Sequence, residues 1–151
     1  MDDADRLIAT LRLSPHPEGG HFRQTWSAPA EPGTRPAGTA ILFLLRAGEA
    51  SHWHRVDAAE IWHFHAGAPL HLRIAADAAG PARSLRLGGD VLSGDMPQAI
   101  VPAHHWQAAA TMGAYSLVSC TVSPGFRFEG FDLAPPGFDI RPEPDSELPS
   151  P

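Results

Sequence analysis

Turn-forming residues cut this chain into short, evenly spaced segments, and that punctuation restricts it to folds built from short strands. Sixteen prolines and fourteen glycines are spread over 151 residues. Turns at Ala66-Gly67, Ala79-Gly80-Pro81, Gly88-Gly89-Asp90, Gly94-Asp95 and Met112-Gly113 separate runs of strand length. These runs lie near Ser51–Arg55, Glu60–His65, Leu70–Ile74, Ser84–Leu87, Ala99–Val101, Trp106–Ala109 and Tyr115–Val122, after earlier ones at Phe22–Trp26 and Thr39–Leu45. Roughly ten short strands in regular succession predict an all-β sandwich or jelly-roll barrel. Before them, Leu7, Ile8 and Leu11 recur at helical spacing, so Asp2 to Leu13 reads as a short N-terminal helix, stopped by Pro15 and Pro17. Pro135 to Pro151 holds six prolines in 17 residues. The expected organisation is one domain over residues 1–134 and a Pro-rich tail over 135–151, extended or disordered in isolation.

Composition excludes several chemistries. All eleven basic residues are arginine. Without lysine there is no Schiff base, no pyridoxal-phosphate anchor and no P-loop lysine. Cys120 is the sole cysteine, so there is no intrachain disulfide and no cysteine-based zinc site; its setting, SLVSCTV, reads as a buried strand thiol. The net charge of −6 and the lack of any basic run argue against nucleic acid and anionic membranes as partners. The start lacks the features of a secretory signal, and no apolar run is long enough to span a membrane, so a soluble cytoplasmic protein is expected.

The chemistry concentrates between Gly48 and Gly67, GEASHWHRVDAAEIWHFHAG, where His54 and Glu60 sit between two glycines. On a strand, Glu60, Trp62 and Phe64 share one face, and Ile61, His63 and His65 share the other. A carboxylate beside two aromatics suits a pocket wall, where burial makes it a usable acid or base. His52 shares a face with His54 by the same alternation and reads as its neighbour nearer the rim. A second region, Pro102-Ala103-His104-His105-Trp106-Gln107, supplies further polar groups. The turn His16-Pro17-Glu18-Gly19-Gly20 offers Glu18 either as a structural cap or as a second pocket acid. Arg23 and Arg127 are candidates for holding an anion, and each also reads as a structural arginine.

These motifs resemble those of the cupin superfamily and, within it, a family of small proteins of unknown function called cupin type 5. The resemblance runs from about Leu7 to Leu133. It rests on HPEGG with Phe22-Arg23, on His54 with Glu60-Ile61-Trp62-His63, on Val101-Pro102 with Trp106-Gln107-Ala108-Ala109, and on Val122-Ser123-Pro124-Gly125-Phe126 with Phe128 and Phe131. It implies a double-stranded β-helix barrel, a homodimer, and a pocket in which His54, Glu60 and Gln107 replace the usual metal set. Val56 stands where the first cupin motif carries its second histidine, Gln107 where the second motif carries a metal histidine, and His104 where a turn glycine is usual. No cofactor is expected on that donor count; if a divalent metal binds, His54, Glu60 and Gln107 are its candidate ligands.

The function expected is a metal-independent isomerase, epimerase or lyase acting on a small polar ligand such as a sugar or nucleotide sugar. His54 would be the base, Glu60 would set its tautomer, and Tyr115, the one tyrosine, is the candidate acid. Gln107 would stabilise a developing oxyanion, with Trp62, Arg23, His52 and Trp106 as further ligand-binding residues. The alternatives are a binding module without turnover and a metal-dependent cupin oxygenase or lyase.

Overall fold

The computed structural model describes residues 1–144. Helix α1 (Asp3–Leu11) leads into strands β1 (Ser14–Pro15), β2 (His21–Ser27), β3 (Thr39–Arg46), β4 (Ala50–Val56), β5 (Ala59–Gly67), β6 (Leu70–Ala75), β7 (Arg83–Leu87), β8 (Gln98–Val101), β9 (Trp106–Thr111), β10 (Tyr115–Ser123) and β11 (Phe131–Leu133). Two antiparallel sheets face each other, with strand orders β1-β2-β3-β10-β5-β8 and β11-β4-β9-β6-β7. The chain changes sheet from β3 to β4, from β4 to β5 and from β5 to β6, and again at each step from β8 to β11. This alternation winds the two sheets into the expected jelly-roll barrel.

Strand alternation decides what fills the barrel. On β10, Ser116, Val118, Cys120 and Val122 are buried, while the residues between them are only partly covered. One end of the interior is apolar, with Phe43, Leu45, Trp62, Leu70, Leu72, Leu87 and Val118 in one cluster. Towards the other end the same strands present different residues: Thr39 and Ile41 on β3, Glu60 on β5, Cys120 and Val122 on β10. There the core gives way to a cavity.

Helix α1 closes the outside of the first sheet. Asp2 caps it by accepting a hydrogen bond from the Asp5 amide (2.8 Å), and Arg12 ends it in the left-handed region at φ 56°. Ala4 packs with Leu13 and Leu44, flanked by Leu7, Ile8, Leu11 and Tyr115. His104 stands where a turn glycine is expected; it takes φ 68°, and its amide donates to the Val56 carbonyl at 2.7 Å. The backbone of His104 thus adopts the left-handed conformation that glycine takes more readily.

The first ten residues of the expected tail, 135–144, lie against the barrel. Ala82 bridges Pro142, and the Ala82 amide donates to the Arg141 carbonyl at 2.8 Å. Ile140 is fully buried beside Trp53 and Trp106, and Phe138 stacks on Trp106 with ring centroids 5.0 Å apart. Asp139 accepts from the Trp53 indole (2.9 Å) and pairs with Arg73 (3.2 Å). Two apolar anchors and a carboxylate outweigh the prolines around them. Residues 145–151 of that tail lie outside the described residues.

Candidate active site

Four ionisable side chains meet at the open end of the barrel: His16, Glu18, His54 and Glu60. They line a cavity of about 60 Å³ together with Cys120 and an apolar wall that includes Phe22, Ile41, Val56, Phe126, Phe128 and Phe131. One water needs roughly 10–15 Å³ by this measure, so the space holds about four to six water-sized groups.

The HPEGG turn carries two of the four. Gly19 lies at φ +110°, and a Cβ there would collide with the Ala50 carbonyl, so only glycine lets the turn press against β4. The turn is tied down by His16 N–H to the Gly20 carbonyl (2.9 Å) and by His52 N–H to the Glu18 carbonyl (2.8 Å). The Glu18 amide donates to His16 Nδ1 at 3.1 Å, which leaves the His16 proton on Nε2.

A β-bulge sets the third group. On β4, Ser51 pairs with Ala109 and His54 with Gln107, so two residues on β4 face one on β9. Ser51 and His54 therefore both point inward. Ser51 Oγ donates to Glu18 Oε1 at 2.9 Å, and His54 Nε2 lies 3.1 Å from Glu18 Oε2. His54 Nδ1 donates to the His52 carbonyl at 2.8 Å. That bond, rather than Glu60, fixes the His54 tautomer.

Glu60 is held from behind. Gln107 Nε2 donates to Glu60 Oε1 at 2.8 Å, and Trp62 Nε1 donates to Gln107 Oε1 at 2.8 Å. The Cys120 thiol donates to the same carboxyl group. Gln107 and Trp62 are thus fully engaged inside the wall and do not line the cavity. Both stand behind Glu60, Gln107 holding its carboxyl group and Trp62 holding Gln107.

Burial governs the electrostatics. It pushes Glu18 up to about 8. It pushes Glu60 up to about 7, with repulsion from Glu18 adding to the rise and His54 opposing it. It brings His16 down to about 4, helped by the nearby His54, and lowers His54 as well. The cause is common to all four: the low-dielectric pocket disfavours the charged form. Glu18 and both histidines are therefore neutral at pH 7, and the Glu18–His54 contact is a carboxylic acid O–H donating to Nε2. Glu60 is close to half ionised.

Four expected site residues lie elsewhere. Tyr115 starts β10 on the outer face and packs under α1, because it has the opposite parity to Ser116 and Cys120. Arg23 also points outward from β2, and its Nε donates to the Leu11 carbonyl at the end of α1 (2.8 Å). Trp106 alternates with the inward Gln107 and lies under Phe138, with the Arg55 guanidinium 4.6 Å from its ring centre. His52 is turned outward by the bulge, and its Nε2 donates to the Pro135 carbonyl at 2.9 Å. In their place the structure adds His16 and raises Glu18 from an alternative to a pocket acid. The signal for both was the pair of glycines after Glu18, which marks a turn pressed against another strand.

A model for the family described as "Cupin superfamily (DUF985)" matches residues 5–134. The chain belongs to this cupin family. A hypothetical protein from Leishmania major is 32% identical, with 88% of each chain covered and a TM-score of 0.79. A crystal structure of a protein from Shewanella oneidensis is 40% identical over 89% of this chain and 85% of that one, with a TM-score of 0.82. Oxalate decarboxylase from Bacillus subtilis shares the cupin fold at 13% identity, over 79% of this chain and 29% of that one, with a TM-score of 0.60. None of the curated proteins matches the chain.

The cupin donor set can be tested against a metal. Gln107, a candidate ligand, spends its carbonyl oxygen on Trp62 and its amide on Glu60. The free nitrogen of His54 faces Glu18 at hydrogen-bond distance. Among the described residues no three His, Cys, Asp or Glu side chains are arranged to hold an ion together. The expected set of His54, Glu60 and Gln107 does not fit a metal in this geometry.

Proposed function

We propose that this cupin is a general acid–base catalyst acting on a small ligand, in a reaction of the isomerase or lyase type. The observation that carries the reading is the contact of His54 Nε2 with Glu18 Oε2 at 3.1 Å, facing the same cavity as Glu60. Glu60, near half ionisation at neutral pH, takes a proton from the substrate as carboxylate. The Glu18–His54 pair returns one from the other side. Two carboxyl groups separated in proton affinity by their surroundings give one fold both an acid and a base. The cavity admits a molecule of a few heavy atoms, far smaller than a nucleotide sugar.

Deuterium exchange tests this directly. With the protein in D2O and a panel of small carbonyl compounds, proton NMR should show deuterium entering the carbon next to the carbonyl of at least one compound. Glu60→Gln keeps the shape of the side chain and should slow that exchange by roughly 10² or more, while binding of uncharged compounds changes little. Compounds that bind with no exchange at any pH from 6 to 8 would instead make the cavity a binding module.

The reading includes a homodimer built on the outer face of β5. Ile61 and His63 are half covered there, and Ile100 on the neighbouring β8 is exposed. Light scattering should give twice the chain mass of 16.1 kDa. A single-chain mass at micromolar concentration would overturn it.

A further inference from the structure

The charge and lining of the cavity identify its ligand class, on the reading that this cavity is the working site. Carboxylic substrates would need a cationic partner, and the cavity wall provides none. The chain has no lysine, and none of its eleven arginines lines the cavity. Arg127 lies between Phe126 and Phe128 in sequence, at the mouth, yet its guanidinium turns to Asp57 at 3.0 Å. Arg35 meets the same carboxylate and donates to the Gly125 carbonyl at 2.7 Å. Both arginines hold the mouth segment in place and neither points into the cavity. The two histidines inside are neutral at pH 7, so they offer no charge to an anion.

What the wall does offer suits a cation. Glu18 and Glu60 form the polar floor, held by the uncharged donors Ser51 and Gln107, with the imidazole of His54 beside Glu18 at 3.1 Å and no arginine against either. Above them three phenylalanines pack mutually edge to face: Phe126 and Phe128 at 5.0 Å, Phe126 and Phe131 at 5.7 Å, and Phe128 and Phe131 at 6.2 Å between ring centres. Phe131 also reaches His54, with ring centres 5.4 Å apart, so the aromatic wall runs from the mouth to the acid–base groups. Phe128 is 59% exposed and forms the rim. Aromatic faces attract cations, most strongly where water is excluded, and a carboxylate beneath completes the site. A bound ammonium would supply the counter-charge that the protein withholds from Glu60.

We propose that the cavity takes a small monocation, an alkylammonium compound of about four to six heavy atoms, with its nitrogen against Glu18 and Glu60 and its carbon atoms against Phe126, Phe128 and Phe131. The size follows from the cavity volume and the charge from its lining.

The test uses three probes of nearly equal shape: isobutylammonium, isobutyramide and isobutyrate. Titrations of the full chain at pH 7.5, followed by protein NMR shifts, should rank the cation at least about 10-fold tighter than the amide, with the anion weakest. Glu60→Gln should remove most of the preference for the cation. Phe128→Ala, at the exposed rim where folding is not at stake, should weaken the cation about 3- to 10-fold and the amide less. Equal affinity for all three probes, or tightest binding of isobutyrate, would overturn the inference. The outcomes separate this claim from the catalytic one. Cation binding without any deuterium exchange keeps the ligand class and removes the catalysis, whereas exchange confined to anionic compounds keeps the catalysis and removes the ligand class.

Discussion

Glu18→Gln should stabilise the protein most strongly above pH 8 and hardly at all below pH 4.5. The Glu18 carboxyl group binds its proton up to about pH 8 in the folded state, against an ordinary value of 4.5. Between those values the folded protein holds a proton that the unfolded chain has released, so stability falls as pH rises, by about 1.4 kcal/mol for each unit. Above about pH 8 the full cost of a buried carboxylate remains. Glutamine carries no such cost. Its amide can donate to His54 Nε2 as the acid does, and its carbonyl can accept from Ser51 Oγ. Urea denaturation of both proteins from pH 4 to 9 should give curves that meet at the acid end and separate by several kcal/mol at the alkaline end. Glu60, raised to about 7, adds a smaller fall of the same sign in the wild type. The histidines act oppositely. His16, lowered to about 4 from 6.5, withholds stability as pH drops through that range, because the unfolded chain gains the proton first. The wild type is therefore most stable between about pH 4.5 and 6.5. Parallel curves for wild type and variant would mean that Glu18 is ionised and solvated.

Ending the chain after Ala134 should cost about 3–6 kcal/mol. Ile140 and the covered surfaces of Trp53 and Trp106 would lose their burial, at roughly 1.5–3 kcal/mol for each large apolar side chain, and the Trp53 indole would lose its acceptor on Asp139. That is a large share of a typical domain stability. Ile140→Ala alone should cost about 2–5 kcal/mol. Both are read by urea denaturation, and a truncated chain as stable as the whole would show that the segment 135–144 does not hold the second sheet.

Period-two alternation made much of this site legible. It placed Glu60 and Trp62 inward together and sent Ile61, His63 and His65 outward, because β5 carries no irregularity before Phe64. The same rule misplaced His52, because the bulge opposite Ala109 and Gln107 shifts the parity of β4 between Ser51 and His54. Nothing in the local sequence of β4 encodes that bulge; it arises from pairing with a strand some fifty residues away. Trp106, Tyr115 and Arg23 were readable in principle, since each sits one position from an inward residue on its own strand. The convergence of Glu18 with His54 was not, since their 3.1 Å contact depends on a turn docking against β4. In the tail, proline content outweighed Phe138 and Ile140, the two residues that bind it to the barrel.

Glu18 and Glu60 are buried acids that share one cavity with two neutral histidines. Carbon-detected NMR of the glutamate carboxyl groups, assigned with Glu18→Gln and Glu60→Gln and followed from pH 4 to 9, tests this most directly. Midpoints near 8 for Glu18 and near 7 for Glu60 are expected, each shifted by the ionisation of the other. Two independent midpoints near 4.5 would contradict it.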